Sequence, residues 1–298
     1  MRAVIVFCVL ALCVATAMAQ HQHGSGAAKV VELHPGLGNY HHPITTKSAE
    51  AQTYFNQGLT LLYGFNHDEA ARYFRRAAEL DPEAAMPHWG LALSIGPNYN
   101  DTAVDEARAK TTYDAVQNAL QRAPKASARE QDYVRALAKR YRSPNPKSDW
   151  KRLHLDYSKA MRDLVKKYPD DLDATTMFAE SLMMLRPWQL WTLDGKPAPG
   201  TLELVAVLES VLKRNPDHPG ANHFYIHAVE ASANLERAIP SAVRLMTLVP
   251  GAGHLVHMPG HIFLQTGDYD LAAKTNVNAA AADKAFVERT GAAGIYPL

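Results

Sequence analysis

A histidine pair written His-x-x-x-His occurs twice in this chain, and both histidines of the first pair recur at the same offset in the second. His223 and His227 form the first pair, and His257 and His261 form the second. The offset equals the period of about 34 residues that is typical of proteins built from stacked two-helix repeats. Because residues four apart on an α-helix lie only about 40° from each other, each pair projects from one face of its helix. Stacked repeats would therefore bring all four imidazoles to one patch.

The spacing of large, small and helix-ending residues agrees with this period. In the first repeat, the positions that the tetratricopeptide pattern requires are filled by Tyr54, Gly58, Leu61, Ala70, Phe74, Ala77 and Pro82. In the last repeat, they are filled by Gly260, Phe263, Gly267, Tyr269, Ala272 and Ala279. The sequence therefore predicts an all-α fold, a tetratricopeptide-type right-handed solenoid of antiparallel helix pairs over residues 48–298.

The middle of the chain departs from the strict period. Three amphipathic helices are predicted, over Ala103–Arg122, Ser127–Arg142 and Asp149–Lys167. Leu172 and Pro219 then begin equivalent repeats whose separation exceeds the period, and the excess lies in the segment Pro187–Gly200. This insertion contains Trp188 and Trp191. Either it folds over the inner groove as an aromatic lid, or its tryptophans only anchor a long connection.

The first 19 residues have the pattern of an export signal. A single Arg2 precedes an apolar run from Ala3 to Ala15, and Ala17-Met18-Ala19 is a small-x-small cleavage site before Gln20. The apolar run is too short to span a bilayer. We therefore expect a periplasmic or secreted protein cleaved after Ala19, which N-terminal sequencing of the secreted protein would test.

Cleavage would remove Cys8 and Cys13, so the mature chain is expected to contain no cysteine and no thiolate chemistry. Residues 20–47 follow as an extended lead-in that is rich in histidine, glycine and proline. His21 and His23 are given no role. The His41-His42-Pro43 string is expected to dock against the first repeat.

The charges of the chain are balanced, since 31 Lys and Arg face 30 Asp and Glu. This balance gives no basic surface for a nucleic acid. The expected partners are a protein, a peptide or a small molecule in the concave groove, with no nucleic acid and no membrane span.

Several longer strings resemble those of an exported bacterial family of tetratricopeptide-repeat proteins. They are Gly64-Phe65-Asn66-His67, Trp89-Gly90-Leu91-Ala92-Leu93, Ala179-Glu180-Ser181-Leu182-Met183, His223-Phe224-Tyr225-Ile226-His227-Ala228-Val229-Glu230 and His254-Leu255-Val256-His257-Met258-Pro259-Gly260-His261. The resemblance covers roughly Tyr40 to the end of the chain. It implies a helical-repeat fold and export, and no activity. Members of that family continue past the position of Leu298, so the chain is expected to be short at its C-terminus and to lack any ligands supplied by later repeats.

The repeat register predicts which side chains face the groove. It places Glu230 beside His223 and His227, and His254 beside His257 and His261. It also makes Glu180 equivalent to His227 and His261. Imidazole and carboxylate together suit a divalent transition metal such as zinc, iron, copper or manganese. The candidate ligands are His223, His227, His257 and His261, followed by His254, Glu180 and Glu230.

Three functions are compatible with this pattern. The favoured one is an exported binding scaffold for a protein or another ligand, whose groove holds the metal. The second is a metal-dependent enzyme in which Glu180 or Glu230 acts as a base on bound water. The third is a metal-free peptide adaptor, in which the histidines recur only because the repeat was duplicated and the glutamates are ordinary polar residues of the groove. The sequence contains no motif for covalent catalysis, and the histidine pattern is compatible with both an enzyme and a binding scaffold.

Overall fold

The computed structural model describes residues 31–291. The predicted signal peptide, its cleavage site, Cys8, Cys13, His21 and His23 lie outside these residues, as do residues 292–298. Within residues 31–291, regular structure is helical apart from one isolated bridge between Trp191 and Pro197. The prediction of an all-α helical-repeat fold is therefore confirmed. No helix in this range is long and apolar enough to cross a bilayer.

The α-helices follow one another with short connections. In chain order they are α1 Ala49–Tyr63, α2 His67–Leu80, α3 Met86–Ile95, α4 Glu106–Arg122, α5 Ala128–Leu137, α6 Trp150–Lys167, α7 Leu172–Met183, α8 Thr201–Arg214, α9 Pro219–Val229, α10 Ile239–Leu248, α11 Gly253–His257, α12 Pro259–Thr266 and α13 Tyr269–Thr290. Consecutive helices pack against each other, as stacked helix pairs do. Helices α9 and α11 begin one repeat period apart, at Pro219 and Gly253, so the two histidine pairs start from equivalent helices.

Local signals in the sequence set the helix starts. Ser48 accepts a hydrogen bond from the amide of Ala51 at the start of α1, and Asp171 accepts one from Ala174 at the start of α7. Helix α9 begins at Pro219, whose missing N–H costs nothing at a first helical position. Helix α5 ends at Leu137, earlier than the predicted Arg142, and the chain then turns to bury Arg140.

The first repeat packs directly against the equivalent helices near the end of the chain. A Cβ atom on Gly220 of α9 would lie 2.3 Å from Cδ1 of Tyr63, so only glycine permits this approach of α1 to α9. A Cβ atom on Gly64, which follows α1, would lie 3.3 Å from Cγ of Leu255 in α11. The expected open groove is therefore closed at the first histidine pair, and the prediction that this pair lines an accessible concave surface is wrong. His223 and His227 are only 0% and 3% exposed.

The described part of the lead-in, residues 31–47, has no regular secondary structure except for a single 3-10 turn at Pro35–Leu37. It docks on α1, where the side chain of Gln57 bonds to both the backbone N–H and the C=O of His34. The amide of His42 donates to Asn56 Oδ1 at 3.2 Å. The docking predicted for the string that contains His42 therefore matches the structure.

The insertion between α7 and α8 places its two tryptophans differently. The indole N–H of Trp191 donates to the backbone oxygen of Ala228 at 2.7 Å, which anchors the segment on α9. The indole N–H of Trp188 donates to the backbone oxygen of Tyr99 at 3.1 Å, and its ring is 57% exposed. Trp191 thus fits the anchoring interpretation, and Trp188 lies where a covering group would lie.

Candidate metal centre

Three imidazoles from two helices meet behind the turn that joins α1 to α2. Ring nitrogens of His223, His227 and His254 all lie within 4.8 Å of one another. The Nε2 atoms of His223 and His254 are 3.1 Å apart. For comparison, ligand nitrogens on a tetrahedral ion with bonds of about 2.0–2.1 Å are separated by roughly 3.3 Å. Residues of α9 and α11 thus present nitrogen atoms at a separation that suits one ion.

The other ring nitrogen of each α9 histidine bonds to an acceptor. Nδ1 of His223 lies 2.5 Å from the backbone oxygen of Tyr63, and Nδ1 of His227 lies 2.8 Å from Oε1 of Glu230. A carbonyl and a carboxylate can only accept, so each Nδ1 carries the hydrogen and each neutral ring keeps a lone pair on Nε2. Nε2 of His227 is buried and has no hydrogen-bond partner among the described residues. This orientation is the usual one for metal-binding histidines.

Glu230 connects the two histidine pairs. It directly follows α9, and its second oxygen, Oε2, lies 2.5 Å from Nδ1 of His261. Burial alone would raise the pKa of Glu230, but the hydrogen bonds from His227 and His261 lower it to about 2. Because both oxygens are engaged by Nδ1–H groups, this carboxylate orients two imidazoles. The sequence prediction had placed it among the ligands themselves.

The second histidine pair has the same orientation. His257 and His261 lie on α11 and α12, and their Nε2 atoms are 2.9 Å apart. Nδ1 of His257 lies 2.7 Å from Oδ1 of Asn276 on α13. The structure thus brings six predicted residues into one group, which we call the histidine cluster. Its members are His223, His227, Glu230, His254, His257 and His261.

Burial keeps three imidazoles of the cluster neutral, those of His223, His254 and His257. It lowers the pKa of His223 and of His254 well below the ordinary value, and the neighbouring imidazoles lower both further. Burial also lowers the pKa of His257, although the bond to Asn276 opposes this. A neutral imidazole is the form that binds a metal, so these three histidines are available as ligands at neutral pH.

Aromatic rings enclose His227 on two sides. The ring of Phe65 is stacked on it at an interplanar angle of 12°, with the centroids 5.7 Å apart. Trp188 meets it edge-on at 5.5 Å. Phe65 and Trp188 are also the two non-glycine residues with positive φ in the described part of the chain, at 57° and 59°. Bulky residues rarely adopt this conformation, and strained residues of this kind concentrate at functional sites.

The strain at Phe65 arises from the way that α1 ends. The amide of Phe65 donates to the backbone oxygen of Leu62, and that of Asn66 donates to Leu61, which is the hydrogen-bond pattern of a Schellman turn. Such a turn favours glycine at the left-handed position, yet the glycine of this sequence, Gly64, lies one residue earlier. The side chain of Phe65 is thereby fixed between the turn and the histidines.

Glu180 does not join the cluster. Its carboxylate lies 3.2 Å from the guanidinium of Arg140, a side chain that is 1% exposed. Burial raises the pKa of Glu180, although Arg140 opposes this. The repeat register gave the right helix face, but the sequence did not reveal that Arg140, which follows α5, would pair with this carboxylate. The structure therefore places Glu180 away from the predicted ligand set.

A second buried group of histidines and carboxylates lies beside the cluster, and we call it the Asp173 network. Its members are Tyr40, His42, Tyr63, Asp171, Asp173 and His218. Asp173 accepts hydrogen bonds from the hydroxyls of Tyr40 and Tyr63 at 2.8 and 2.5 Å, and Nδ1 of His42 lies 2.7 Å from its other oxygen. Burial would raise the pKa of Asp173, but the two histidines hold it well below its ordinary value.

Sequence reasoning missed three residues that shape the cluster. The backbone oxygen of Tyr63 orients His223, the ring of Phe65 walls the site, and Asn276 orients His257. Tyr63 acts through its main chain and Asn276 is distant in sequence, so neither leaves a pattern. Phe65 did leave one signal, since the string Gly64-Phe65-Asn66-His67 is among those that resemble the exported family.

Comparisons with known proteins bear on the repeat assignment. A family model described as a tetratricopeptide repeat matches residues 51–83, which comprise most of α1 and all of α2, and this match confirms the prediction of a tetratricopeptide-repeat protein. No curated protein matches the chain. Two solved structures of MamA are similar to it, a double mutant described as "MamA RS-1 ArsTM double mutant" and residues 41 to the end of the protein from Desulfovibrio magneticus RS-1. Their identities are 12% and 13% and their TM-scores 0.37 and 0.36, and each match covers 80% of this chain and 98% of the other.

Proposed function

We propose that this protein is a tetratricopeptide-repeat binding scaffold that holds a divalent transition metal through His223, His227 and His254. The observation that carries this proposal is the orientation of the buried imidazoles. His223 and His227 each keep a lone pair on Nε2, because each Nδ1 bonds to an acceptor, and Nε2 of His227 has no hydrogen-bond partner among the described residues. A buried lone pair without a hydrogen bond is costly unless a cation shares it.

The ligand type restricts which metals fit. Three neutral imidazoles without a thiolate suit zinc, copper, iron or manganese, and a four-coordinate ion would keep one position for water or a ligand. The orienting bonds from Tyr63 and Glu230 are the kind of outer contact that raises metal affinity by about 10- to 100-fold. The aromatic ring of Phe65 supplies an apolar wall on one side.

An enzyme that uses a glutamate as base is less well supported. Both oxygens of Glu230 are engaged by imidazoles, and Glu180 is paired with Arg140. Neither carboxylate is therefore placed to take a proton from a bound water. Metal binding within a scaffold for a protein or peptide partner remains the function that the geometry supports best.

The test measures Zn²⁺ bound to the chelator-treated protein, by titration and elemental analysis after removal of excess ion. We expect His227→Ala to weaken binding by at least about tenfold, since it removes a ligand and the bond to Glu230. His154→Ala is the matched control, because His154 is also buried and also has an unpartnered ring nitrogen, yet lies in α6 and outside the cluster. Circular dichroism confirms that each variant is folded.

Two outcomes would overturn the proposal. If the wild-type protein retains no stoichiometric metal, the histidines are structural. If His154→Ala and His227→Ala lose metal equally, binding is non-specific.

A further inference from the structure

His257 and His261 form a separate pair beside the three histidines of the proposed site. Their Nε2 atoms are 2.9 Å apart, whereas the ring centroids of His227 and His261 are 5.9 Å apart and those of His254 and His257 are 6.1 Å apart. The pair is thus in contact with the first group on two sides. It is also closer to solvent, since the side chain of His261 is 28% exposed.

Hydrogen bonds fix which nitrogen of each ring carries the lone pair. The amide nitrogen of Asn276 donates to the backbone oxygen of Ala272 at 2.7 Å, so Oδ1 of Asn276 is the atom that faces Nδ1 of His257 and accepts from it. Oε2 of Glu230 accepts from Nδ1 of His261. In the neutral form of both rings, the two Nε2 lone pairs therefore point at each other.

Two lone pairs at 2.9 Å repel each other unless a positive charge lies between them. A shared proton or a metal ion would satisfy this condition. The two histidines lie on α11 and α12, on either side of Pro259, and their Nε2 atoms meet at one point. Each ring is also held through Nδ1 by an acceptor, as in histidines that bind metals.

We propose that His257 and His261 bind a second divalent transition-metal ion, so that the histidine cluster is a two-ion centre. This inference rests on the proposed function, which concerns the first ion. Two protein ligands leave the second ion with coordination positions for water or for an oxygen-donor ligand such as a carboxylate. The less buried pair would then be the side of the centre at which such a ligand enters.

Glu230 is the positioning residue that the two ions would share. Its Oε1 orients His227, a ligand of the first ion, and its Oε2 orients His261, a ligand of the second. A single carboxylate therefore sets the direction of one imidazole at each ion. We expect Glu230→Gln to weaken the binding of both ions. An amide can accept only one of these two hydrogen bonds, and its N–H group opposes the other.

The experiment counts Zn²⁺ ions per chain and measures the magnetic coupling of Cu²⁺ ions in the full protein. We expect about two ions in the wild-type protein and about one in His257→Ala. Leu264→Ala is the matched control, since Leu264 is an exposed residue of α12 outside the cluster. Two Cu²⁺ ions at the spacing of two-metal sites, about 3.5–4 Å, couple and reduce the resonance signal per copper, and the signal should return in His257→Ala.

The outcomes separate this inference from the proposed function. One ion in the wild-type protein, unchanged in His257→Ala, would show that the pair shares a proton, and would leave the first site intact. No bound ion would overturn the proposed function itself. If His257→Ala does not fold, His257→Gln, which is closer in size, gives the same comparison.

Discussion

The histidine cluster and the Asp173 network contain the same kinds of residue, and both bring buried histidines and carboxylates close together. They differ in the balance of donors and acceptors. In the network, Asp173 receives hydrogens from two tyrosine hydroxyls and from His42. In the cluster, the Nε2 atoms of His257 and His261 lie 2.9 Å apart, while Nδ1 of each ring faces an acceptor. Asp173 is thus satisfied by hydrogens of its own neighbours, whereas Nε2 of His227 has no hydrogen-bond partner among the described residues.

Spacing alone therefore does not identify a metal site. Ligand atoms of His42, Asp171 and Asp173 lie as close together as those of His223, His227 and His254. An ion in the network would have to displace the donors that now satisfy Asp173, with the free-energy cost of breaking those bonds. An ion in the cluster would displace no hydrogen bond made by Nε2 of His227.

The largest expected effect is on stability, in the network. Asp173→Asn replaces the buried carboxylate that pairs with His42, and we expect it to reduce the free energy of unfolding by about 3–5 kcal/mol. Glu230→Gln is the matched change in the cluster, and without metal it should cost about 1–2 kcal/mol. Urea unfolding in the presence of a chelator measures both. Equal losses would mean that the hydrogen bonds of Glu230 stabilise the protein as much as those of Asp173, and the comparison would fail.

A second prediction concerns pH, because buried histidines in different surroundings have pKa shifts of opposite sign. Burial lowers the pKa of His42, but Asp173 outweighs it and the pKa is raised. The stabilisation that protonated His42 gives to the folded protein is therefore complete below pH 6.5. It is lost as the pH rises through the raised pKa of His42. His154 has a pKa of about 3, lowered by burial and by Arg140. It favours unfolding as the pH falls below 6.5, by up to about 1.4 kcal/mol per pH unit.

Variants at His42 and His154 test the sign of each pKa shift. We expect His42→Gln to destabilise more at about pH 6 than at about pH 9, whereas His154→Gln should make the protein less sensitive to acid between about pH 7 and 5. Urea unfolding at each pH, without metal, gives the curves. Parallel curves for wild type and both variants would show that neither histidine changes its protonation on folding.

The smallest expected effect compares the two aromatic residues with left-handed backbone at His227. Trp188→Gly should change the free energy of unfolding by less than about 1 kcal/mol, because relief of about 1–2 kcal/mol of backbone strain offsets the loss of a half-exposed ring. Phe65→Gly gains the same relief but removes a buried ring, and we expect a net loss of about 2–3 kcal/mol. Thermal unfolding measures both. A large loss in Trp188→Gly would show that its ring stabilises the cluster directly.

The helical-repeat fold and the meeting of the two histidine pairs could be predicted from the sequence, because both follow from one period. The members of a pair lie one helical turn apart, and the two pairs lie one repeat apart, so these spacings fix a face and a register. The register also placed Glu230 and His254 beside them. What it could not supply was the role of each atom, since a carboxylate at this position can bind an ion or orient its ligands.

The errors have a common physical origin in contacts between distant parts of the chain. The open groove was predicted as if each repeat touched only its neighbours, but the close approach of Tyr63 to Gly220 joins the first repeat to α9. Glu180 was predicted as a ligand from the same register, and its partner Arg140 comes from the turn after α5. A periodic pattern describes neighbours and contains no information on such contacts.

Tyr63 belongs to both regions through different atoms. Its hydroxyl donates to Asp173, and its backbone oxygen accepts from His223. Asp173 also holds Tyr40 and His42 of the docked lead-in. A ligand that moved His223, and Tyr63 with it, would therefore act on the docking of residues 31–47 through one residue. Thermodynamic linkage is reciprocal, so release of that segment would alter the ligand's binding free energy by the same amount that the ligand alters docking.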